Sequence, residues 1–272
     1  MPELPDVEDA RHELSRWLTG TTVVELHLSD TRLGRGKRAP PPAMVAGRRV
    51  LGVGRRGKWL RIDLGEVLLF SHLGMTGKWT CRSPGAPAER SERAQIVVRR
   101  RRARLCVGYV DARRLGRLVV TRDDIPEWRA LGPDPLADGI DVPRLIVELG
   151  KQRRAVKVAL MDQSLLAGIG NVHATEALFF AGVDPRTRTD ALSPRQVRAV
   201  ARGVRRTLAR SLARYRKARA RGGSGYVSEE GPDDFVVYGR EGEPCPRCGA
   251  RIERIVLGGR GTTFCPRCQR RS

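Results

Sequence analysis

Four cysteines near the carboxyl end constrain this chain more tightly than any other feature: Cys245-Pro-Arg-Cys248, then sixteen residues, then Cys265-Pro-Arg-Cys268. Each C-x2-C pair makes a tight knuckle that presents two thiolates at tetrahedral angles. The run between the pairs is long enough for a β-hairpin that brings them together. The expectation is one zinc ion held by Cys245, Cys248, Cys265 and Cys268, structural because four sulfur ligands leave no open position. Disulfides are the alternative, and a cytosolic setting disfavours them. Cys81 and Cys106 stand alone in apparent strands and read as small buried thiols.

The second constraint is charge. Among 272 residues, Lys and Arg number 52 against 30 Asp and Glu, a formal net charge of +22. Each phosphate neutralised by such a cation releases condensed counterions, so a polyanion is the expected ligand. A GC-rich source would also raise Arg, but the acidic residues do not rise to match. No run approaches the ~18 apolar residues of a membrane span, and the amino terminus lacks a basic region followed by an apolar core. A cytoplasmic, nucleoid-associated protein with no membrane contact is expected.

The pattern of residues changes twice along the chain. Residues 5–19 read as a helix opened by Pro5 and closed by Gly20, with Val7, Ala10, Leu14 and Trp17/Leu18 on one face. Short β-rich runs follow at 22–28, 49–64, 67–73, 94–98, 104–110 and 118–121. Around Leu131-Gly-Pro-Asp-Pro135 the chain turns to linker composition, and beyond it the periodicity is helical. Ser193-Pro194 caps a helix with Val197, Val200, Val204, Leu208 and Leu212 on one face and Arg195, Arg198, Arg202, Arg206 and Arg210 on the other. Arg214 to Gly225 reads as a helix end passing into a loop. The expected architecture is α+β: a helix plus antiparallel β-sandwich over 1–124, a linker over 125–141, a helical domain over 142–235 and a zinc-ribbon hairpin over 236–272.

A ribbon of this kind occurs in many nucleic-acid-binding modules, so the other end of the chain discriminates. Removal of Met1 would leave Pro2 as a terminal secondary amine. Such an amine titrates near ~7.7–8.0, against ~10.4 for Lys, so about a tenth of it is unprotonated at neutral pH without any burial. It is a ready nucleophile for an aldehyde or sugar carbon, with Glu3 beside it as acid/base. Met-Pro-Glu by itself also begins many proteins for no catalytic reason.

Several motifs accumulate in one order: Met1-Pro-Glu-Leu-Pro-Asp6, Arg56-Gly-Lys-Trp-Leu60, Ser71-His-Leu-Gly-Met-Thr-Gly77, Asp111-Ala-Arg-Arg-Leu-Gly116, Leu160-Met-Asp162, Gly168-Ile-Gly-Asn-Val-His-Ala-Thr-Glu176 and the cysteine ribbon. From the first residue nearly to the last, the chain resembles the formamidopyrimidine-DNA glycosylase family, the bacterial 8-oxoguanine DNA glycosylases and AP lyases. The resemblance implies a helix-two-turn-helix in the helical domain and damaged double-stranded DNA bound by a monomer in the cleft between domains. It implies that Pro2 forms a Schiff base, that Glu3 is its acid/base partner, and that Lys58 assists glycosidic cleavage and holds a phosphate. Gly170 and Asn171 would contact a phosphate in the turn between two helices, and Arg260 would hold the phosphate of the flipped nucleotide. His72 and Lys157 would also contact DNA. Met75, Arg113 and Leu115 would fill the hole left by the extruded base, Arg113 facing the orphan.

Two departures from the family pattern bear on the substrate. Leu115 stands where the family usually has Phe, and the stretch from Gly222 to Gly239 looks shorter than the loop that encloses the oxidised purine. Oxidised or ring-opened purines are the expected lesions, with oxidised pyrimidines or another bulky lesion as the alternative. From a different class, the alternative is a non-catalytic zinc-ribbon DNA-binding paralogue.

Overall fold

The computed structural model describes residues 2–30, 33, 42–221 and 235–270. These fall into two compact units, the first ending at Arg129 and the second beginning at Ala130.

In the first unit, helix α1 (Leu4–Leu18) starts where the sequence places its signals. Pro5 lies in the first turn, where a missing N–H costs nothing, and the Asp6 carboxylate accepts from the Glu3 amide at 2.5 Å. Its apolar stripe of Leu4, Val7, Ala10, Leu14 and Leu18 is fully buried. At ~1.5–3 kcal/mol for each buried aliphatic side chain, this stripe is what anchors the helix to the sheets.

Eight strands form two antiparallel sheets. One has the order β1 (Thr22–Leu28), β6 (Glu92–Arg100), β7 (Ala103–Val110), β5 (Lys78–Arg82); the other runs β2 (Gly52–Arg56), β3 (Trp59–Asp63), β4 (Leu68–His72), β8 (Arg117–Thr121). Alternation sets the buried face: Ala94, Ile96 and Val98 of β6 point inward and join Leu60, Ile62, Leu69, Trp79, Val107 and Leu118 in a single core. The run expected over 49–64 is a hairpin, because Gly57 takes a positive φ of 56° and lets Arg56 pair directly with Trp59.

The second unit is helical with a terminal hairpin. Within the stretch read as linker there is already a short helix, α2 (Pro126–Arg129), at the end of the first unit. Then come α3 (Val142–Gly150), α4 (Val156–Leu160), α5 (Asn171–Ala181), α6 (Pro194–Ala220), and the ribbon strands β9 (Glu253–Leu257) and β10 (Arg260–Phe264). Helix α5 is the centre of this unit: Ala174, Ala177, Leu178 and Phe179 are fully buried, and Gly203 of α6 lies so close that a Cβ there would overlap the Ala177 carbonyl oxygen. Helix α6 opens with the expected cap, Gln196 N donating to Ser193 Oγ while Ser193 N donates to Gln196 Oε1. It runs on to Ala220, past the end expected near Arg214, since residues 214–220 contain neither Gly nor Pro. No helix of the described residues is long and apolar enough to cross a membrane.

Candidate functional site

In the first unit, Pro2 is half-buried and Glu3 almost fully buried at the amino end of α1. The turn that carries Lys58 is fastened to this helix. Arg55 Nε donates to Glu8 Oε2 at 2.8 Å, and Arg55 Nη1 donates to the Gly57 carbonyl at 3.2 Å. Burial pushes the Glu8 carboxyl up, but hydrogen bonds and charge from Arg11 and Arg55 overcome it and hold the group below its ordinary value. Pro2, Glu3 and the Lys58 turn therefore share one buttressed corner of the unit.

Two loops in the same unit carry the other candidates. His72 ends β4, its ring 5.0 Å from that of Trp59 and its Nδ1 accepting from the Gly74 amide at 3.1 Å. Met75 follows, half-exposed, on the β4–β5 loop, while Arg113 and Leu115 are exposed on the β7–β8 loop. The loops touch through backbone: a Cβ on Gly74 would lie 2.5 Å from the Leu115 carbonyl carbon. One fully buried carboxylate, Asp111, binds both. It accepts from Thr76 Oγ1 (2.6 Å), from the Arg113 amide (3.2 Å) and, through its other oxygen, from the Gly116 amide (2.7 Å). Met75, Arg113 and Leu115 are thus brought together on a shared support. Reading the sequence missed Asp111 and Thr76 as that support; an Asp at a strand end before a turn was the available signal.

In the second unit, Gly168 has a φ of 92° and Gly170 precedes the first turn of α5, at the positive end of its dipole. Asn171 Nδ2 donates to the Gly261 carbonyl at 3.0 Å, while its Oδ1 is buried and accepts nothing from the described residues. That bond brings the ribbon hairpin to the start of α5. Arg260 is the exposed first residue of β10, beyond the turn Gly258-Gly259, whose φ angles of 56° and 71° only glycine adopts readily. Gly170, Asn171 and Arg260 are therefore neighbours. Lys157 is not on the surface with them; it is fully buried on α4. Glu176 is buried as well, and accepts from the amides of Val236, Val237 and Tyr238 at 2.8–3.1 Å, pinning the chain just after residues 222–234. The shortened loop read from the sequence lies mostly in 222–234, outside the described residues.

The four ribbon sulfurs all lie within 4.8 Å of one another. Cys245 to Cys268 is 3.9 Å and Cys248 to Cys265 is 3.5 Å, too long for disulfides near ~2.05 Å. They match the edge of a tetrahedron with metal–sulfur bonds of about 2.3 Å. Without a cation the four thiols cannot ionise together: the Ala250 amide pulls Cys248 down to about 7, while burial and its three neighbours push Cys268 up to about 12. The donor set fits one structural zinc ion, which would fold the knuckles and cross-link the ribbon to Phe179 and Val237.

Three regions match family models: residues 1–118 the formamidopyrimidine-DNA glycosylase N-terminal domain, 131–220 the family's H2TH domain, and 242–271 a zinc finger found in FPG and IleRS. A relative named formamidopyrimidine-DNA glycosylase from Laribacter hongkongensis is 39% identical over 279 residues, covering 99% of this chain and all of that one. The chain belongs to the formamidopyrimidine-DNA glycosylase family. As a member, it is a DNA glycosylase of base excision repair with the AP-lyase chemistry general to that family.

The solved glycosylases of this family share the whole architecture. The Lactococcus lactis enzyme in complex with DNA containing an abasic site superposes with a TM-score of 0.86 at 28% identity, over 98% of this chain and 99% of that one. The Thermus thermophilus enzyme gives 0.82 at 36% identity, with both chains fully covered. The expected fold class, helix plus sandwich followed by an H2TH region and a zinc-ribbon hairpin, is the one found.

Proposed function

We propose that this glycosylase removes oxidised or ring-opened purines from double-stranded DNA through a Schiff base on Pro2. The observation that carries the reading is the pairing of the half-buried Pro2 with the buried Glu3 on a helix braced to the Lys58 turn. The free amine of Pro2 attacks C1′ of the damaged nucleotide, and the bond from C1′ to the base breaks as its electrons leave with the base. Glu3 and Lys58 manage the protons, Glu3 as acid/base and Lys58 at the leaving base and a phosphate. The resulting iminium makes the C2′ proton acidic, so β-elimination expels the 3′ phosphate, δ-elimination follows, and a one-nucleotide gap remains.

In this reading the second unit supplies phosphate contacts through Gly170, Asn171 and Arg260, whose guanidinium suits a phosphate fork. Met75 and Leu115 fill the vacated stack, and Arg113 presents planar donors to the acceptor edge of the orphaned cytosine, with His72 beside them. Lys157 acts from within α4 if it contacts DNA at all, since it is buried. The domain division that goes with these roles is 1–124, a linker over 125–141, 142–235 and 236–272. The working unit is a monomer acting on damaged DNA in the cytoplasm, at the nucleoid.

A panel of duplexes with one lesion each tests the substrate. Ring-opened guanine and abasic sites opposite cytosine should be processed fastest, with 8-oxoguanine slower. Equal or faster excision of oxidised pyrimidines would transfer the assignment to them, and binding without cleavage of any duplex would favour the non-catalytic reading.

A further inference from the structure

Helix α6 contains no Asp or Glu in its 27 residues. Arg198, Arg202, Arg206 and Arg210 recur at steps of four, so they form one ridge that rises about 6 Å per step. All four are exposed, and none pairs with a carboxylate among the described residues. Like charges four apart on a helix repel and lower its stability. Elsewhere the chain avoids this: α1 sets Glu8 beside Arg11 and Glu13 beside Arg16, and α3 sets Glu148 beside Lys151. The ridge is the exception, a row of cations with no internal counter-charge.

Its upper part is also held in place. The Arg206 guanidinium lies 4.4 Å from the Phe180 ring centroid and that of Arg210 5.9 Å, while Arg247 reaches the same ring from the ribbon and donates to the Phe179 carbonyl at 2.8 Å. Stacking on a ring face fixes a guanidinium while leaving its edge free for hydrogen bonds to an anion.

The ridge stands apart from the phosphate-binding end of the unit. Ser211 of α6 meets His173 near the start of α5, whereas Arg206 of α6 meets Phe180 towards its end. Asn171 and Phe180 are nine residues apart on α5, about 13 Å along its axis.

We propose that the ridge of Arg198, Arg202, Arg206 and Arg210 is a second duplex-binding surface, which holds undamaged DNA while the damage site is occupied by another segment. It rests on the family's DNA substrate and on the ridge's own charge. Counterion release along the ridge gives sequence-independent affinity for double-stranded DNA, and two such surfaces allow transfer between segments without full release.

The test loads the zinc-containing enzyme with a short duplex bearing an abasic-site analogue, then titrates a longer undamaged duplex carrying a different dye. The wild type should capture the second duplex, with log affinity falling against log salt. Arg198→Gln with Arg202→Gln and Arg206→Gln should weaken that capture by about tenfold or more and flatten the slope by about 0.9 per contact removed, while affinity for the first duplex stays within about twofold. Arg202→Glu is a folding control with its own reading. It faces Arg198 and Arg206 across one turn, so Tm should rise by about 1–3 °C while capture of the second duplex falls. A rise in Tm with unchanged capture would make the ridge a solvated face and overturn the proposal. So would no capture by the loaded wild type, equal capture by the triple variant, loss of both duplexes together, or ridge-dependent binding of anionic vesicles stronger than that of DNA. Failure of the wild type to bind the first duplex would instead count against the DNA-repair reading itself.

Discussion

Thr76 Oγ1 donates to Asp111 Oδ1 at 2.6 Å and accepts from the Arg113 amide at 3.2 Å, joining the loop of Met75 to the loop of Arg113 and Leu115. In the proposed function, side chains from both loops fill the vacated base stack together, and the spacing of the loops is set at the buried carboxylate rather than at the tips.

Asp111→Asn should therefore uncouple base removal from strand cleavage. The amide would turn an N–H toward one of the donors that Asp111 now accepts, a loss of about 1–3 kcal/mol at that buried bond. Single-turnover excision of a damaged base should fall by an order of magnitude or more, while cleavage at a preformed abasic site, which has no base to extrude, should fall much less. Equal losses in the two assays would mean that Asp111 serves folding alone.

The Glu8–Arg55 pair gives a pH signature. The folded-state pKa of Glu8 is depressed, so its contribution to stability is complete above the unfolded carboxylate value near ~4.3 and is lost as pH falls through the folded value. With the Arg55 side chain only 3% exposed, Glu8→Gln removes the charge partner of a buried guanidinium and should cost on the order of 3 kcal/mol at neutral pH. Melting curves of variant and wild type should converge only once pH has fallen through the depressed folded value, below the ordinary carboxylate range. A constant gap down to acid would remove Glu8 as the titrating group.

Borohydride trapping addresses the nucleophile. Reduction during reaction with abasic DNA should leave a covalent adduct that peptide mapping places on Pro2. Retaining Met1 or adding an amino-terminal tag should abolish it. Glu3→Gln should spare binding and suppress base excision. Undiminished trapping by the tagged protein would move the nucleophile elsewhere.

Metal and guanidinium can be separated at the ribbon. Cys265→Ser or prolonged chelation should release zinc and DNA affinity together, because the knuckles cannot hold without the ion. Arg260→Ala should retain one zinc per chain and still bind damaged duplex at least tenfold more weakly, a loss expected for one charge-assisted contact of about 1.5–3 kcal/mol. A metal-free preparation with full activity would sink the zinc assignment.

Much of this was legible in the residues because the determinants are local. Pro5, Asp6 and Gly20 mark the ends of α1, Ser193 and Gln196 the start of α6, and the cysteine spacing the ribbon. What escaped reading depends on partners distant in sequence. The hairpin at Gly57 was merged into one strand because glycine interrupts the apolar pattern by only two residues. Asp111 gains its role from Thr76, thirty-five positions away, and Glu176 from amides sixty and more positions away. Lys157 is placed at the DNA by the family resemblance alone, and nothing in its immediate neighbours discloses that α4 packs it inside.

The bond from Asn171 to the Gly261 carbonyl turns the ribbon into a ruler. Its zero mark is the cysteine knuckle and its reading is the position of Arg260, five strand residues or about 17 Å away. Two residues inserted on each strand would keep hairpin and metal site intact, yet carry Arg260 nearly 7 Å past Asn171. The interval between the cysteine pairs thus sets, through its length, where Arg260 stands against Asn171.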